Sequence, residues 1–411
     1  MSDPCVRQPL KSLDEVLDIL LAEAQPVTPV KRVSLPQALG HVLAHDVMSP
    51  CDVPPADNSA MDGYAVRIAD IAEGKSLLVS ARIPAGSAPE ALKPGSVARI
   101  FTGAEIPAGA DAVIMQEDAS VNPDTGEVRF ADAALKAGQH IRRQGQDITH
   151  GSRLFEVGER LGATHLGVLA SVGITEVDVF AQLKVAIFST GDELRMPGEP
   201  LGAGQIYNSN AFMLEGLLRT LGCEVVNLGI IPDQLEATVE ALKHARASAD
   251  VIMTTGGVSV GEEDHVKAAV ESLGELLMWR LAIKPGKPFA YGKVGSTPFI
   301  GLPGNPASAL VTFALLARPF LHRSMGQFKV ASPRYQVTSG FEVAKAGKRT
   351  EFVRVSLRLV DGELTVVPAG GQSSGILSAV ARADGLAEVP AGSTLSKGQK
   401  VAYLPFHGVL D

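Results

Sequence analysis

Three short apolar runs in this 411-residue chain end in loops whose residue types suit an anionic ligand. Lys184–Phe188 runs into Ser189, Thr190, Gly191, Asp192 and Glu193. Val251–Met253 runs into Thr254, Thr255, Gly256, Gly257 and Ser259, then into Glu262, Glu263 and Asp264. Pro298–Leu302 runs into Pro303, Gly304, Asn305, Pro306 and Ser308. Continuous apolar runs of this length read as buried parallel strands, and ligands of such sheets lie beyond the strands' carboxyl ends. Glycine lets backbone approach a phosphate closely, and a following helix start offers free N–H groups. Three such loops describe one shared pocket, and Lys284-Pro285-Gly286-Lys287-Pro288 sets two cations on a rigid turn beside it. Plainer readings exist. Asp192 or Glu193 could be the cap and first-turn acid of a helix, Asp264 the cap of another, and Pro303 and Pro306 could only shape their loop.

These loops need a regular scaffold, and the chain between them alternates. A helix is expected after Ser209, carrying Phe212, Leu214, Leu217, Leu218 and Leu221 and stopping at Gly222. A strand Val225–Leu228 follows, then a helix with Leu235, Val239 and Leu242, a helix near His265–Leu273, strands Trp279–Ile283 and Pro298–Leu302, and a helix from Pro306. This pattern predicts a central doubly wound α/β domain over 183–331. Before it, residues 1–182 read as an α+β region. Ser12 and Glu15 form a capping box ahead of Leu13, Val16, Ile19 and Leu20, a short helix lies near Pro36–Leu39, and a strand lies around Val42–Val47. Within this region a β-rich module at about 54–147 is inserted, with strands near Leu77–Val79, Val97–Phe101, Ala112–Met115 and Val128–Phe130. After it, 332–411 reads as a small β-barrel-like domain, with period-two alternation over Phe352–Leu359 and a type I′ turn at Asp361-Gly362.

Composition narrows the classes. Acidic residues outnumber basic ones by 45 to 37, which argues against a nucleic-acid coat, and no apolar run approaches a membrane span. The start of the chain lacks the apolar core of a signal peptide, so the cytoplasm is the expected compartment. Cys5, Cys51 and Cys223 are odd in number and far apart, which indicates neither a disulfide framework nor a zinc knuckle. His41 and His45 read as ordinary surface or core histidines. Any metal would be a hard cation held by Asp and Glu.

Seven motifs lie in order along almost the whole chain: NSAMDGYA at 58–65, TGAEIPAGADAVIMQE at 102–117, STGDEL at 189–194, TTGGVSVGEEDH at 254–265, IKPGKPFAYGK at 283–293, GLPGNPAS at 301–308 and TEFVRVSL at 350–357. A further cluster, Arg142-Arg143-Gln144-Gly145-Gln146-Asp147, is read equally well as carrying a solvated arginine pair. Together they closely resemble the molybdopterin molybdenumtransferase family, which includes the E domain of gephyrin. The resemblance implies conversion of adenylylated molybdopterin and molybdate to molybdenum cofactor and AMP, assisted by Mg²⁺. It implies a molybdate site of Lys284, Lys287, Ser308, Arg354 and Ser374, since a tetrahedral dianion needs cations and hydroxyl donors. Asp264, Asp233 and Glu193 would hold Mg²⁺ and act in catalysis, and Asp62, Thr102 and Asp147 match family positions implicated in activity. Ser189, Thr190, Gly191, Gly256, Gly257, Ser259, Pro303, Gly304, Asn305 and Pro306 would bind the pterin nucleotide. A homodimer is also implied, with the molybdopterin adenylyltransferase and molybdoenzyme maturation proteins as further partners. A molybdopterin adenylyltransferase, or a non-enzymatic gephyrin-like scaffold, is the competing expectation.

Overall fold

The computed structural model describes residues 9–26, 29–72, 75–131, 135–257 and 265–410. Ser259 and Asp264 lie outside them. Helix α1, Leu13–Glu23, begins at the expected capping box: the Ser12 hydroxyl accepts from the Glu15 amide at 3.2 Å and the Ser12 amide donates to the Glu15 carboxylate at 2.8 Å. Its Val16 and Leu20 are fully buried in the core beneath the central sheet. Strand β1, Val30–Ser34, pairs antiparallel with β2, Glu176–Phe180, so the N-terminal body closes on itself around the excursion between them. Where a strand was expected around Val42–Val47, there are isolated bridges at Val42 and Leu43 and a two-residue strand, Val47–Met48.

That excursion contains a six-stranded sheet built from residues 63–130, with apolar side chains packed on both faces. Its two connections to the body run side by side. Val53 donates to the Ile148 carbonyl at 2.7 Å, and the Asp147 amide donates back to Val53 at 3.0 Å. Two aspartates pin them: Asp52 accepts from the His150 amide at 2.7 Å, and Asp57 accepts from the Gln144 amide at 2.8 Å and pairs with Arg143. Backbone N–H donation holds both carboxyls below the usual aspartate range, with the Gln144 side chain adding to it at Asp52 and Arg143 at Asp57. A depressed folded pKa stabilises above the unfolded value of about 3.9, and that stability fades as pH falls through the folded value. The Gln144 and His150 amides should therefore keep their protection from hydrogen exchange at neutral pH and lose it below pH ~4 before the central core opens. Simultaneous loss everywhere would show that these carboxylates do not anchor the module.

The central sheet contains β3 (Lys184–Thr190), β4 (Glu224–Ile231), β5 (Val251–Thr255), β6 (Gly274–Arg280), β7 (Pro288–Val294) and β8 (Thr297–Leu302), in the spatial order β4-β3-β5-β8-β7-β6. The first four are parallel. Helices α2 (Ser209–Leu221), α3 (Leu235–Ser248) and α4 (His265–Leu273) cover its faces, and α2 stops at Gly222 in the left-handed conformation. The edge is an antiparallel hairpin that brings in β7, a strand not anticipated, because β7 and β8 are joined by the two-residue turn at Gly295, too short for a crossover. One expectation needs correction: the run expected as one strand, Trp279–Ile283, breaks, since β6 ends at Arg280 and Ile283–Lys284 pairs instead with Thr350–Glu351 of the C-terminal sheet.

The C-terminal strands are Tyr335–Ser339, Thr350–Val360, Glu363–Pro368, Gly385–Val389 and Lys400–Pro405. They close into a barrel, because Thr350–Val360 pairs with both Glu363–Pro368 and Gly385–Val389. Asp361 and Gly362 both take positive φ at its hairpin, as a type I′ turn requires. Phe352, Leu386 and Leu404 join the core under the central sheet, so the barrel is seated on the domain that carries the loops.

Candidate active site

The strands that end in the three loops are β3, β5 and β8, and their carboxyl ends meet. The Ser189 and Thr255 hydroxyls are 3.2 Å apart, and the Gly256 amide donates to the Leu302 carbonyl at 3.2 Å. Gly256 has φ +89°, and a Cβ there would stand 3.0 Å from the Thr190 carbonyl oxygen, so this crossing of loops requires glycine. Asn208 caps α2 by accepting from the Ala211 amide at 3.2 Å, and Asn210 donates to the Gly304 carbonyl at 2.6 Å, tying the helix start to the third loop.

These loops border a cleft of about 890 Å³. Its wall includes Thr190, Gly256, Gly257, Pro303, Gly304, Asn305 and Pro306 of the expected nucleotide set. Ser189 is buried behind that wall, and Gly191 lies under the Glu193 carboxylate, which approaches within 2.5 Å of where a Cβ would be. Of the expected molybdate residues, Lys284, Lys287, Ser308 and Ser374 line the cleft. Lys284 pairs with Glu351 at 2.8 Å, whereas no ion pair is formed by Lys287 among the described residues. The turn Lys284–Lys287 is seated on the helix bearing Ser308: a Cβ on Gly286 would be 2.8 Å from the Thr312 methyl. Ser374 accepts from the Ala307 amide at 3.0 Å, bringing the barrel's loop onto the same helix start.

Arg354 is placed differently from expectation. Its side chain is 1% exposed and does not line the cleft. It lies behind the 370–374 loop, donating to the Gly371 and Ser373 carbonyls at 3.3 and 3.0 Å while its amide donates to Gln372 at 2.9 Å. The arginine on the cleft is Arg349, held by a 3.0 Å bond to the Ile283 carbonyl. The sequence reading missed it, although it stands one residue ahead of the TEFVRVSL motif. Tyr207, Asn208, Asn210 and Gln372 also line the cleft unanticipated; the Asn208-Ser209-Asn210 capping pattern was the available signal.

Glu193 lines the cleft, but no helix follows it. Leu194–Arg195 pairs with Ile206–Tyr207, and α2 begins only at Ser209, so the helix-cap reading of Asp192 and Glu193 fails. Asp233 follows the edge strand β4 and is not in the cleft wall. No group of three or more candidate metal ligands is found among the described residues, and Glu193 is the one carboxylate among the described residues that line the cleft. One carboxylate suits Mg²⁺, which typically takes one or two carboxylates and completes its shell with substrate phosphates and water.

Asp62 and Thr102 lie together on the inserted module. The Thr102 amide and hydroxyl both donate to Asp62 Oδ1 at 2.7 Å, the amide first among the causes that hold this carboxyl below its usual range. Asp147 lies in the module's stem. None of the three lines the cleft, and no residue between 54 and 147 does so among the described residues.

Family models match the chain in three consecutive blocks: the MoeA N-terminal region (domains I and II) over residues 11–173, a probable molybdopterin binding domain over 186–323, and the MoeA C-terminal region (domain IV) over 336–406. The Haemophilus influenzae protein named molybdopterin molybdenumtransferase is 41% identical over 404 residues, 97% of this chain and 99% of that protein. A Nostoc protein of the same name is 40% identical over 385 residues, covering 90% and 88% of the two chains. The molybdopterin biosynthesis MoeA protein from Pyrococcus horikoshii superposes with a TM-score of 0.79 at 33% identity, covering 97% of this chain and 99% of that one. On this full-length agreement in sequence and fold, the chain belongs to the molybdopterin molybdenumtransferase family.

Proposed function

We propose that the protein is a molybdopterin molybdenumtransferase of the cytoplasm, working as a homodimer, that inserts molybdate into adenylylated molybdopterin and releases AMP. One observation carries this reading: the glycine-built loops at the ends of β3, β5 and β8 and the Lys284–Lys287 turn open onto the same cleft. The loops suit the phosphates and pterin of a nucleotide-sized substrate, and the lysines with Ser308, Ser374 and Arg349 suit a small dianion. Mg²⁺, when bound, would neutralise charge on the phosphoanhydride as it breaks. Glu193 would be one of its ligands, with Asp264 proposed as another. The lysines would hold molybdate beside the pterin, gaining the advantage of a fixed geometry. An adenylyltransferase is disfavoured because the likeness to transferases extends over the N-terminal and C-terminal regions as well as the central one.

The test is incubation with adenylylated molybdopterin and molybdate, reading AMP. Release of AMP is expected; consumption of ATP with molybdopterin would instead mark an adenylyltransferase. Two kinds of variant sharpen it. Lys284→Met and Lys287→Met should raise the molybdate concentration for half-maximal rate by about 10–150-fold, the equivalent of a charged hydrogen bond of about 1.5–3 kcal/mol, and excess molybdate should restore much of the rate. Arg354→Met removes buried donors that hold the 370–374 loop, so it should lower unfolding stability by about 1.5–3 kcal/mol. Lysine variants that lose pterin binding and stay slow at saturating molybdate would reassign these cations to the phosphates.

A further inference from the structure

Apart from prolines, the apolar side chains of the described cleft wall are Leu194, Ile206 and Tyr207, and Tyr207 is its one aromatic. All three stand on the small ribbon in which Leu194–Arg195 pairs with Ile206–Tyr207. Ile206 is 55% exposed and Tyr207 44%. One exposed apolar side chain means little, but these two are adjacent and both face a cleft of nucleotide size. Together with Leu194 they make a ledge. Local bonds fix it: the Ile206 amide donates to the Glu193 carbonyl at 2.8 Å and the Asn208 amide to the Arg195 carbonyl at 2.9 Å. The Tyr207 hydroxyl donates to the Glu199 carbonyl at 3.0 Å, within the loop that joins the two ribbon strands. That proton is spent, so Tyr207 offers a ligand the face of its ring and not a donor.

The ledge and the lysines lie on opposite flanks of the cleft. Strands β3, β5 and β8 are consecutive neighbours, so the first and last are about 10 Å apart at ordinary strand spacing. The ledge belongs to the β3 flank. It begins directly after Glu193, and the Ser189 hydroxyl at the end of β3 reaches the side chain of Asn208, the residue after Tyr207, at 3.4 Å. The Lys284–Lys287 turn belongs to the β8 flank, because Gly286 is seated against Thr312 of the helix that follows β8. Gly256 and Gly257, at the end of β5, lie between them. The cleft therefore runs from cations, past glycines, to Glu193 and an uncharged apolar ledge.

We infer that Tyr207, with Ile206 beside it, is the platform on which the adenine base of the substrate stacks. This rests on the reading of the cleft as a molybdenumtransferase site. In an adenylylated pterin the phosphoanhydride separates the pterin from the adenosine. Lysines that hold molybdate set the pterin at the β8 flank, the phosphoanhydride crosses the glycines toward Glu193, and the base arrives at the ledge. A flat heteroaromatic ring needs only a π-face and shelter from water there, and an aromatic side chain beside an aliphatic one provides both.

Calorimetric titration of the full chain with AMP and with ribose 5-phosphate, in the presence of Mg²⁺, isolates the base, since the two ligands share sugar and phosphate. Wild type should bind AMP about tenfold or more tighter than ribose 5-phosphate. Tyr207→Ala should bring AMP down to the ribose 5-phosphate level and leave ribose 5-phosphate itself unchanged, whereas a variant that merely disturbed the cleft would weaken both. Tyr207→Phe keeps the ring and should keep the preference. Ile206→Ala, at a more exposed position, should reduce the preference severalfold and keeps the test available if Tyr207→Ala does not fold. The inference is overturned if wild type binds the two ligands alike, if it binds neither at tens of millimolar, or if the alanine variants keep the full preference for AMP. The titration needs no turnover, so the two readings fail separately. AMP release by a protein without the preference would remove the ledge and spare the transferase reading; a preference lost in Tyr207→Ala, without AMP release by wild type, would do the reverse.

Discussion

Replacing Asp264 with alanine is expected to cut Mg²⁺-dependent AMP release by at least about 10²–10³-fold, the scale on which removal of a preorganised electrostatic element usually acts. The described cleft wall offers a single carboxylate, Glu193. A second hard-oxygen ligand would most simply come from the acidic end of TTGGVSVGEEDH. The described residues on either side of that stretch are close together: Gly257 lines the cleft, and a Cβ on it would lie 2.4 Å from the Val266 side chain at the start of α4. The variant should keep its fold and still bind the adenylylated pterin, because the other loops remain. Raising Mg²⁺ should recover little rate if the carboxylate is a ligand. Near-normal turnover in a folded Asp264→Ala protein would sink the assignment and leave Asp264 as a helix cap.

The elements legible in the sequence were those whose signal is local. The Ser12–Glu15 capping box, the stop of α2 at Gly222 and the Asp361-Gly362 turn each depend on residues a few positions apart, and each is present. So were the three loops, because a buried strand ending in Gly, Ser or Thr keeps its meaning whatever its neighbours are. What stayed hidden depends on partners remote in sequence. The apolar stretch after Trp279 carries no mark of leaving one sheet for another, and only the barrel's Thr350–Glu351 supplies the pairing. Arg354 lies in a strand whose residues 352–355 are all buried, so alternation could not say which way it faces. An arginine near a predicted anion site was read as a ligand, whereas the fold uses it to hold the loop that carries Ser374. The same limit separated Asp62 and Thr102, which meet each other on the module, from a cleft that sequence proximity cannot connect to them.

Mixed refolding of Asp62→Ala and Asp264→Ala chains should restore activity that neither variant has by itself. The expectation rests on the placement of the module: its Asp62–Thr102 pair is well formed, with the carboxyl held ionised by the Thr102 amide and hydroxyl, yet it contributes nothing to the described wall of its own chain's cleft. If both groups serve one reaction, a second subunit would bring them together. A closed two-fold dimer would then carry two equivalent sites, each with the module of one subunit and the cleft of the other. In a mixed dimer one site then holds both lesions and the other holds none. Equal random mixing makes half the dimers mixed, each with half its sites intact, so activity should recover to roughly a quarter of wild type. Sites confined to one chain predict the opposite, since every site then keeps one lesion however the subunits pair. Mixed dimers verified by differential tagging, with no recovered AMP release, would exclude the shared site and leave Asp62 and Thr102 a role in shaping the module alone.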